Sequence, residues 1–408
     1  MRILHTSDWH IGRTFHGHST LDALRGVLDA LVVQVRAHAV DVVIVAGDVF
    51  DSATPAAACY GLLSDTLAAL ADTGAEVIVT SGNHDSAARL GFQAALLRPG
   101  IHVLTDPAEV GTPITVRDEH GPVHIYGIPF LEPALLRHEW PGATSQAGVL
   151  AHAMGLVRAD LAARRGADAG VGGSLRAVAV AHCFAAGVEP TPHLERDIQQ
   201  GGLDVVPLQT FDGVDYMALG HIHGRQQLSD RVRYAGAPLH YSFGEGDKPR
   251  GSWLVELDAA GFAGARWLDL PVPRPLRTLR GAFDEILQGD AYADAEDAWV
   301  SVEYTDAVPQ ADPLRRLQQR FPHCAAVAHT PPARNSEDTR SYTQRVRAAQ
   351  SDAELVEAFL VHVRAGEGAS DREAELVRDV LGARERAERD GDVRTGGRVA
   401  RSTAPVAT

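Results

Sequence analysis

The stretch "VDVVIVAGDVFD" (Val40–Asp51) decides the fold. Val42 to Ala46 form an unbroken apolar run with no polar face, so a strand built from it must be covered on both sides. Amphipathic stretches flank it. Thr20–His38 places Leu21, Leu24, Leu28 and Leu31 on one helical face, and Pro55–Gly74 reads as a second helix with Pro near its start and Gly past its end. A second apolar run, "EVIVTSGNHDS" (Glu76–Ser86), follows. Strand and helix alternate, which predicts layered α/β architecture.

Further on, "HVLT", "PITV" and "VHIYGIPF" predict short strands, and a helix is expected over Gly148–Arg164. The glycine-rich "RRGADAGVGGS" reads as a surface loop before the strand "LRAVAVAH". "VDYMALGHIH" predicts another strand, and β-rich sequence continues through "GSWLVELD". Composition shifts near "LPVPRPLRTLRG", placing a boundary between a domain of residues 1–270 and a small α+β domain of residues 271–335. Residues 336–350 read as a linker. Ser351-x-x-Glu354 and Ser370-x-x-Glu373 are capping-box patterns that open a helix pair over residues 351–382. Its apolar faces carry Leu355, Phe359 and Val363 on one helix, and Leu376, Val377, Val380 and Leu381 on the other. Residues 383–408 are expected to be a disordered tail after a frayed end.

The 408 residues are 45% hydrophobic and 22% charged, ordinary for a globular protein. No apolar run reaches the roughly 18 residues of a membrane span, and "MRILHTSDWH" does not read as a signal peptide. Cys59, Cys183 and Cys324 lack paired spacing; reduced thiols and a cytoplasmic address are expected, with Cys183 a small buried residue rather than a soft ligand. The net charge of −15 argues against a general nucleic-acid coat protein, but not against an enzyme whose bound cations dominate the local field.

The chemistry gathers where the apolar runs stop. They end in Asp8 and His10; in Asp48, with Asp51 behind it; in Asn83, His84 and Asp85; in His182; and in His221 and His223. A single polar residue after a strand is ordinary loop surface. Five strand ends that all deliver Asp, His or Asn, at the sheet edge where α/β proteins bind ligands, are not. This mixed nitrogen and oxygen set is too rich for one tetrahedral zinc, which takes about four ligands. It suits two divalent ions about 3.5–4 Å apart, bridged by one carboxylate and acting on a phosphoryl group.

In order, Asp8-x-His10, Gly47-Asp48, Gly82-Asn83-His84-Asp85, His182 and Gly220-His221-x-His223 resemble the motifs of calcineurin-like metallophosphoesterases. Within that superfamily, "HTSDWHIGR", "VAGDVFDSATP" and "GAPLHYSFGE" resemble the SbcD-type nuclease subunits of bacterial SbcCD complexes. The resemblance implies a β-sandwich flanked by helices, a capping domain and a C-terminal helix pair. It implies one ion on Asp8, His10, Asp48 and His223, and a second on Asp48, Asn83, His182 and His221, with manganese the expected metal. His84 would be the catalytic histidine and Asp85 would orient it; Asp51 would help at most indirectly. The implied activity is exonuclease action on duplex DNA and endonuclease action on single strands and hairpins, in repair, replication and recombination. The implied partners are an SbcC-type coiled-coil ATPase, DNA and a second copy, forming a heterotetramer. Leu355, Phe359, Leu376 and Val380 would meet the ATPase, and Arg274, Arg277 and Arg280 would meet phosphate. His16 is a weaker candidate for the substrate backbone, while His5 and His18 read as core or surface. The alternatives are a stand-alone phosphodiesterase or phosphatase for small nucleotides, which needs no helix pair, and a non-catalytic scaffold, which needs a broken ligand set.

Overall fold

The computed structural model describes residues 1–167, 175–187, 205–332, 342–364, 366 and 368–395. The chain divides into two compact units, Met1–Leu276 and Arg277–Thr408.

The first unit begins with β1 (Arg2–Thr6), a small hairpin of β2 (Thr14–Phe15) and β3 (His18–Ser19), and α1 (Leu21–Ala37). Next come β4 (Val42–Ala46), α2 (Ala57–Ala71), β5 (Glu76–Thr80), α3 (Ala87–Leu90) and β6 (Ile101–Leu104). β7 (Ile114–Asp118) and β8 (Gly121–Gly127) lead through α4 (Pro133–Leu136) to the long α5 (Gln146–Ala167). Then follow β9 (Arg176–His182), β10 (Tyr216–Gly220), β11 (Gln226–Gln227), β12 (Val232–Tyr234), β13 (Gly251–Asp258) and β14 (Gly261–Asp269). Part of the expected loop after α5, residues 168–174, lies outside the described residues.

These strands make two six-stranded sheets, ordered β14-β13-β1-β4-β5-β6 and β11-β12-β10-β9-β8-β7. β1, β4, β5 and β6 run parallel in one, and β8, β9 and β10 run parallel in the other. Strand alternation explains the layering. In β4, Val42, Ile44 and Ala46 face the second sheet, while Val43 and Val45 face α1 and α2. In β9, Val178 and Val180 point into the sandwich, and Ala177, Ala179 and Ala181 point toward α5. Both faces of each strand are therefore apolar, as a doubly covered sheet requires. On α1, Leu24, Leu28 and Leu31 are fully buried. Each such side chain contributes about 1.5–3 kcal/mol.

The period of two continues to the strand ends, so His182, two residues after Val180, lies on the inner face with the sandwich core. The buried His5 is ordinary core. Its Nε2 donates to the Leu219 carbonyl and its Nδ1 accepts from the Tyr216 hydroxyl, and burial lowers its pKa to about 3.

The second unit opens with β15 (Leu276–Gly281) and α6 (Phe283–Gln288), then β16 (Trp299–Tyr304), α7 (Pro313–Leu317) and β17 (Cys324–His329). The three strands form one sheet, with β16 and β17 parallel, over a core of Phe283, Ile286, Val300, Val302, Leu317 and Phe321. α8 (Tyr342–Ala348), α9 (Asp352–Val363) and α10 (Asp371–Thr395) follow. Ser370 and Glu373 form a full capping box, whereas Glu354 reaches one residue further back, to the Gln350 amide. Arg364 joins α9 to α10 through a two-bond pair with Glu373 at 2.7 and 2.8 Å. The expected tail from Ala383 is corrected in part, because α10 continues to Thr395. The run "ARERAERD" consists mainly of strong helix formers with Glu and Arg at helical spacing. Residues 396–408 lie outside the described residues. No helix among the described residues is long and apolar enough to cross a membrane.

Candidate metal centre

The carboxyl ends of β1, β4 and β5 in one sheet meet those of β9 and β10 in the other. After β1 the chain stays paired with the chain after β4: the Asp8 amide donates to the Gly47 carbonyl and the His10 amide to that of Asp48. Two glycines allow the close approach. A Cβ on Gly220 would lie 1.8 Å from the Ala46 carbonyl oxygen of the opposite sheet, and one on Gly82 would lie 2.1 Å from an Asp48 carboxylate oxygen. The backbone at Asp8, His10, Asp48 and His221 has positive φ, at 53°, 45°, 49° and 108°. Such conformations cost about 1–3 kcal/mol each and cluster at functional sites.

These turns gather all seven expected ligands. His10 Nε2 lies 3.0 Å from His223 Nε2 and 3.6 Å from Asp48 Oδ2. On the other side, His182 Nε2 lies 3.3 Å from the same Asp48 oxygen and 3.0 Å from Asn83 Oδ1, which also faces His221 Nδ1 at 3.0 Å. Asp8 accepts from the His221 amide, and its carboxylate groups with His10 and His223, and with Asp48 and His182. Asp8, His10, Asp48, His182 and His223 are buried, while Asn83 is exposed, so the crevice opens on the Asn83 side.

The donor set fits divalent cations. Two carboxylates are buried side by side with no lysine or arginine within ion-pair distance of either among the described residues. Burial raises the Asp8 pKa. Burial also opposes ionisation of Asp48, but the imidazoles of His182 and His10 outweigh it and hold its carboxyl well below the usual range. His182 answers in the opposite sense: burial disfavours its charge, yet Asp48 and Asp8 lift it to about 9. A site that draws a proton onto a buried imidazole is one that attracts positive charge. Burial lowers His10 to about 4 and His221 to about 3, which keeps their lone pairs available for a metal.

The supporting contacts fix ring orientation. His182 Nδ1 donates to the Ala46 carbonyl, leaving Nε2 for the crevice. His84 Nδ1 donates to the Asp51 carbonyl at 2.9 Å, and the Asp51 carboxylate stands 3.3 Å from His10 Nδ1, off the line of a good hydrogen bond. Asp51 thus touches two site histidines. Asp85 does not orient His84, which corrects that expectation. Its carboxylate accepts from the amides of Val49, Phe50 and Gly82, pinning together the loops after β4 and β5. Burial raises its pKa to about 6, and Ser86, not Asp85, caps α3. Cys183 is buried, with its thiol pushed up to about 12 by burial, so it offers no thiolate.

Sequence reading assigned no role to Glu245, although it ends the quoted "GAPLHYSFGE". It is fully buried, 3.4 Å from His223 Nδ1. A carboxylate so placed could have been suspected only from its position beside other motif residues.

The remaining expected contacts lie elsewhere. His16 is exposed at the tip of the β2–β3 hairpin, where His16 and Gly17 both have positive φ, as a two-residue type I′ turn demands. Its ring lies 5.3 Å from that of Phe243. In the second unit, Arg277 and Arg280 are exposed, and Arg277 lies 3.6 Å from Asp294; Arg274, in the first unit, is half-buried. Phe359, Leu376 and Val380 are 50%, 63% and 60% exposed, and Leu355 is also exposed.

The family model for calcineurin-like phosphoesterases matches residues 1–151, and one described as the type 5 capsule protein repressor C-terminal domain matches residues 272–363. A curated relative from Escherichia coli (strain K12), the SbcD component of nuclease SbcCD, is 32% identical over 337 residues, covering 78% of this chain and 81% of its own. The component of the same name from Rhodobacter capsulatus is 38% identical over 294 residues, covering 69% of this chain and 71% of its own.

Proposed function

The chain belongs to the SbcD family of nuclease SbcCD components, and from that premise we propose that it is a metal-dependent DNA nuclease acting through two cations in the crevice between its sheets. One observation carries the reading: Asp48 stands between two imidazoles, His10 and His182, that come from different sheets. In this reading Asp48 would be shared by both ions. Asp8, His10 and His223 complete the holder of one; Asn83, His182 and His221 complete the other. When bound, the divalent pair, Mn²⁺ by expectation, supplies Lewis acidity that activates water and offsets charge on the phosphoryl oxygens.

The chain's own residues do the rest. Ala46, through its carbonyl, and Asp51 hold the rings of His182, His10 and His84 in place. With Nδ1 of His84 committed to the Asp51 carbonyl, its Nε2 is free to serve the substrate. From there His84 would stabilise negative charge on the phosphoryl oxygens or give a proton to the leaving oxygen. The exposed Asn83 and the half-buried His84 and His221 mark the side from which a phosphodiester would approach.

DNA in duplex and hairpin form is the proposed substrate, with exonuclease and endonuclease action. Arg274, Arg277 and Arg280 are proposed phosphate contacts. An SbcC-type ATPase is the proposed partner of α9 and α10, whose apolar side chains Phe359, Leu376 and Val380 stand in solvent. Two copies would join two such ATPases in a cytoplasmic heterotetramer. A phosphodiesterase for free small nucleotides would have no use for those exposed apolar helices. Nuclease assays on hairpin and blunt duplexes with Mn²⁺, with and without co-purified ATPase, test the reading. Cleavage of both substrates is expected, and hydrolysis of free nucleotides without cleavage of DNA would overturn it.

A further inference from the structure

His223, like His10 beside Asp51, has a carboxylate against its Nδ1, but here the carboxylate is fully buried. Its Nε2 faces His10 Nε2 at 3.0 Å, while its Nδ1 faces Glu245 Oε1 at 3.4 Å. Both Nδ1 and Oε1 are shut away from solvent; they face each other off the line of a good hydrogen bond, and neither has a hydrogen-bond partner among the described residues. The second oxygen of Glu245 accepts from the Tyr241 amide at 3.2 Å and pairs with the Arg250 guanidinium. Arg250, itself 2% exposed, donates to the carbonyl of His223 and, at 3.2 Å, to that of Ala237. One buried Glu–Arg pair therefore grips His223 at both its backbone and its ring. Tyr241, tied to Glu245 through its amide, packs its ring against His10 and donates its hydroxyl to the Trp9 carbonyl. The strap from Tyr241 to Arg250 thus braces the His10–His223 side of the crevice, as Ala46 and Asn83 brace the side of His182.

A buried ion pair is a weak source of stability, since packed apolar residues of similar volume often do as well or better. A carboxylate against the distal nitrogen of an imidazole, by contrast, sets the tautomer and aims the other nitrogen's lone pair. We propose that Glu245, anchored by Arg250, is a positioning residue for His223: it keeps the proton on Nδ1 and so presents Nε2 to the cation. This rests on the metal-centre reading, and it adds a residue that reading does not contain.

The test uses the full chain. Calorimetric Mn²⁺ titration compares wild type with the double variant Glu245→Leu/Arg250→Met, which removes both charges and orphans neither. Two ions are expected to bind wild type, and one of them is expected to bind the variant about 10–100-fold more weakly. The melting temperature of the metal-free variant is expected to stay at or above that of wild type, which separates positioning from structural support. Uptake by wild type with unchanged affinity in the variant overturns the inference alone, and absence of uptake by wild type overturns the metal reading with it. A second measurement is made on the wild-type chain. Long-range ¹H–¹⁵N NMR of the metal-free wild type, with His223 assigned by His223→Gln, is expected to show a proton on Nδ1; a bare Nδ1 overturns the proposal.

Discussion

Strand β9 carries a buried cationic or titrating group at each end, and the two ends are finished in opposite ways. At its start, Arg176 is fully buried, and both of its terminal nitrogens are committed to acceptors. It pairs with Asp118 through both terminal nitrogens and donates to the carbonyls of Gly121 and Asp258. Asp118 also meets the N-terminal ammonium at 3.0 Å. At its finish, His182 enters a cluster of two carboxylates and further imidazoles in which nitrogen faces nitrogen and neighbouring backbone is held at positive φ. One end is closed by an arginine–carboxylate pair, and the other gathers carboxylates and imidazoles with no lysine or arginine within ion-pair distance of Asp8 or Asp48 among the described residues. Burial alone does not mark a functional site; incomplete internal neutralisation does.

The contrast can be broken by experiment, starting with the largest effect. Asp48→Ala should lower nuclease turnover by about 10⁴-fold or more and abolish tight Mn²⁺ binding, because it removes the shared carboxylate. Retention of both ions, measured by elemental analysis after gel filtration, would contradict the bridging role. His84→Ala should keep both ions and lose about 10²–10⁴-fold in turnover; loss of metal in parallel would make His84 a ligand. At the Arg176 end, Asp118→Ala should leave the metal site intact and destabilise the chain by about 3–5 kcal/mol, since Arg176 would be buried without its partner. The bond from Arg176, against opposing burial, holds the Asp118 carboxyl far below the usual range. The wild-type advantage should therefore be complete above about pH 5 and shrink as pH falls below about 4, where unfolded aspartate takes a proton. Denaturant titrations at pH 7 and pH 3 would show it, and a gap that does not narrow would refute the assignment. The smallest effect should come from Asp8→Asn in the metal-free chain. Burial raises the Asp8 pKa, so replacing it by the neutral Asn should leave the melting temperature of the metal-free chain essentially unchanged while weakening metal uptake. A clear loss of melting temperature would mean that both ends of β9 are built for stability.

Much of this was legible in the chain because it rests on short-range rules. Val42–Ala46 reads as a doubly covered strand, and its alternation between the two cores follows from a period of two. The ligand types at the strand ends could be seen for the same reason: each stands within a few residues of an apolar run. Helix ends were less legible. α10 runs to Thr395 because Ala, Glu and Arg favour helix as readily as they favour solvent, and composition alone does not separate the two.

Contacts between distant segments were not legible. Adjacency suggested that Asp85 serves His84, but folding sends its carboxylate to amides 35 and 36 residues away. The group that holds His84 is instead the backbone carbonyl of Asp51, an atom every residue possesses and no side-chain pattern reveals. Glu245 has no role in the sequence reading, and only the sandwich places it, buried, against His223. By itself, then, the sequence determined which residues could bind a cation, because strand period and glycine placement are local properties. Which of them face one another, and which buried charges meet a counterpart, was decided only when two sheets packed at Gly220 and Gly47, because electrostatic neutralisation depends on distances between segments that the chain order does not fix.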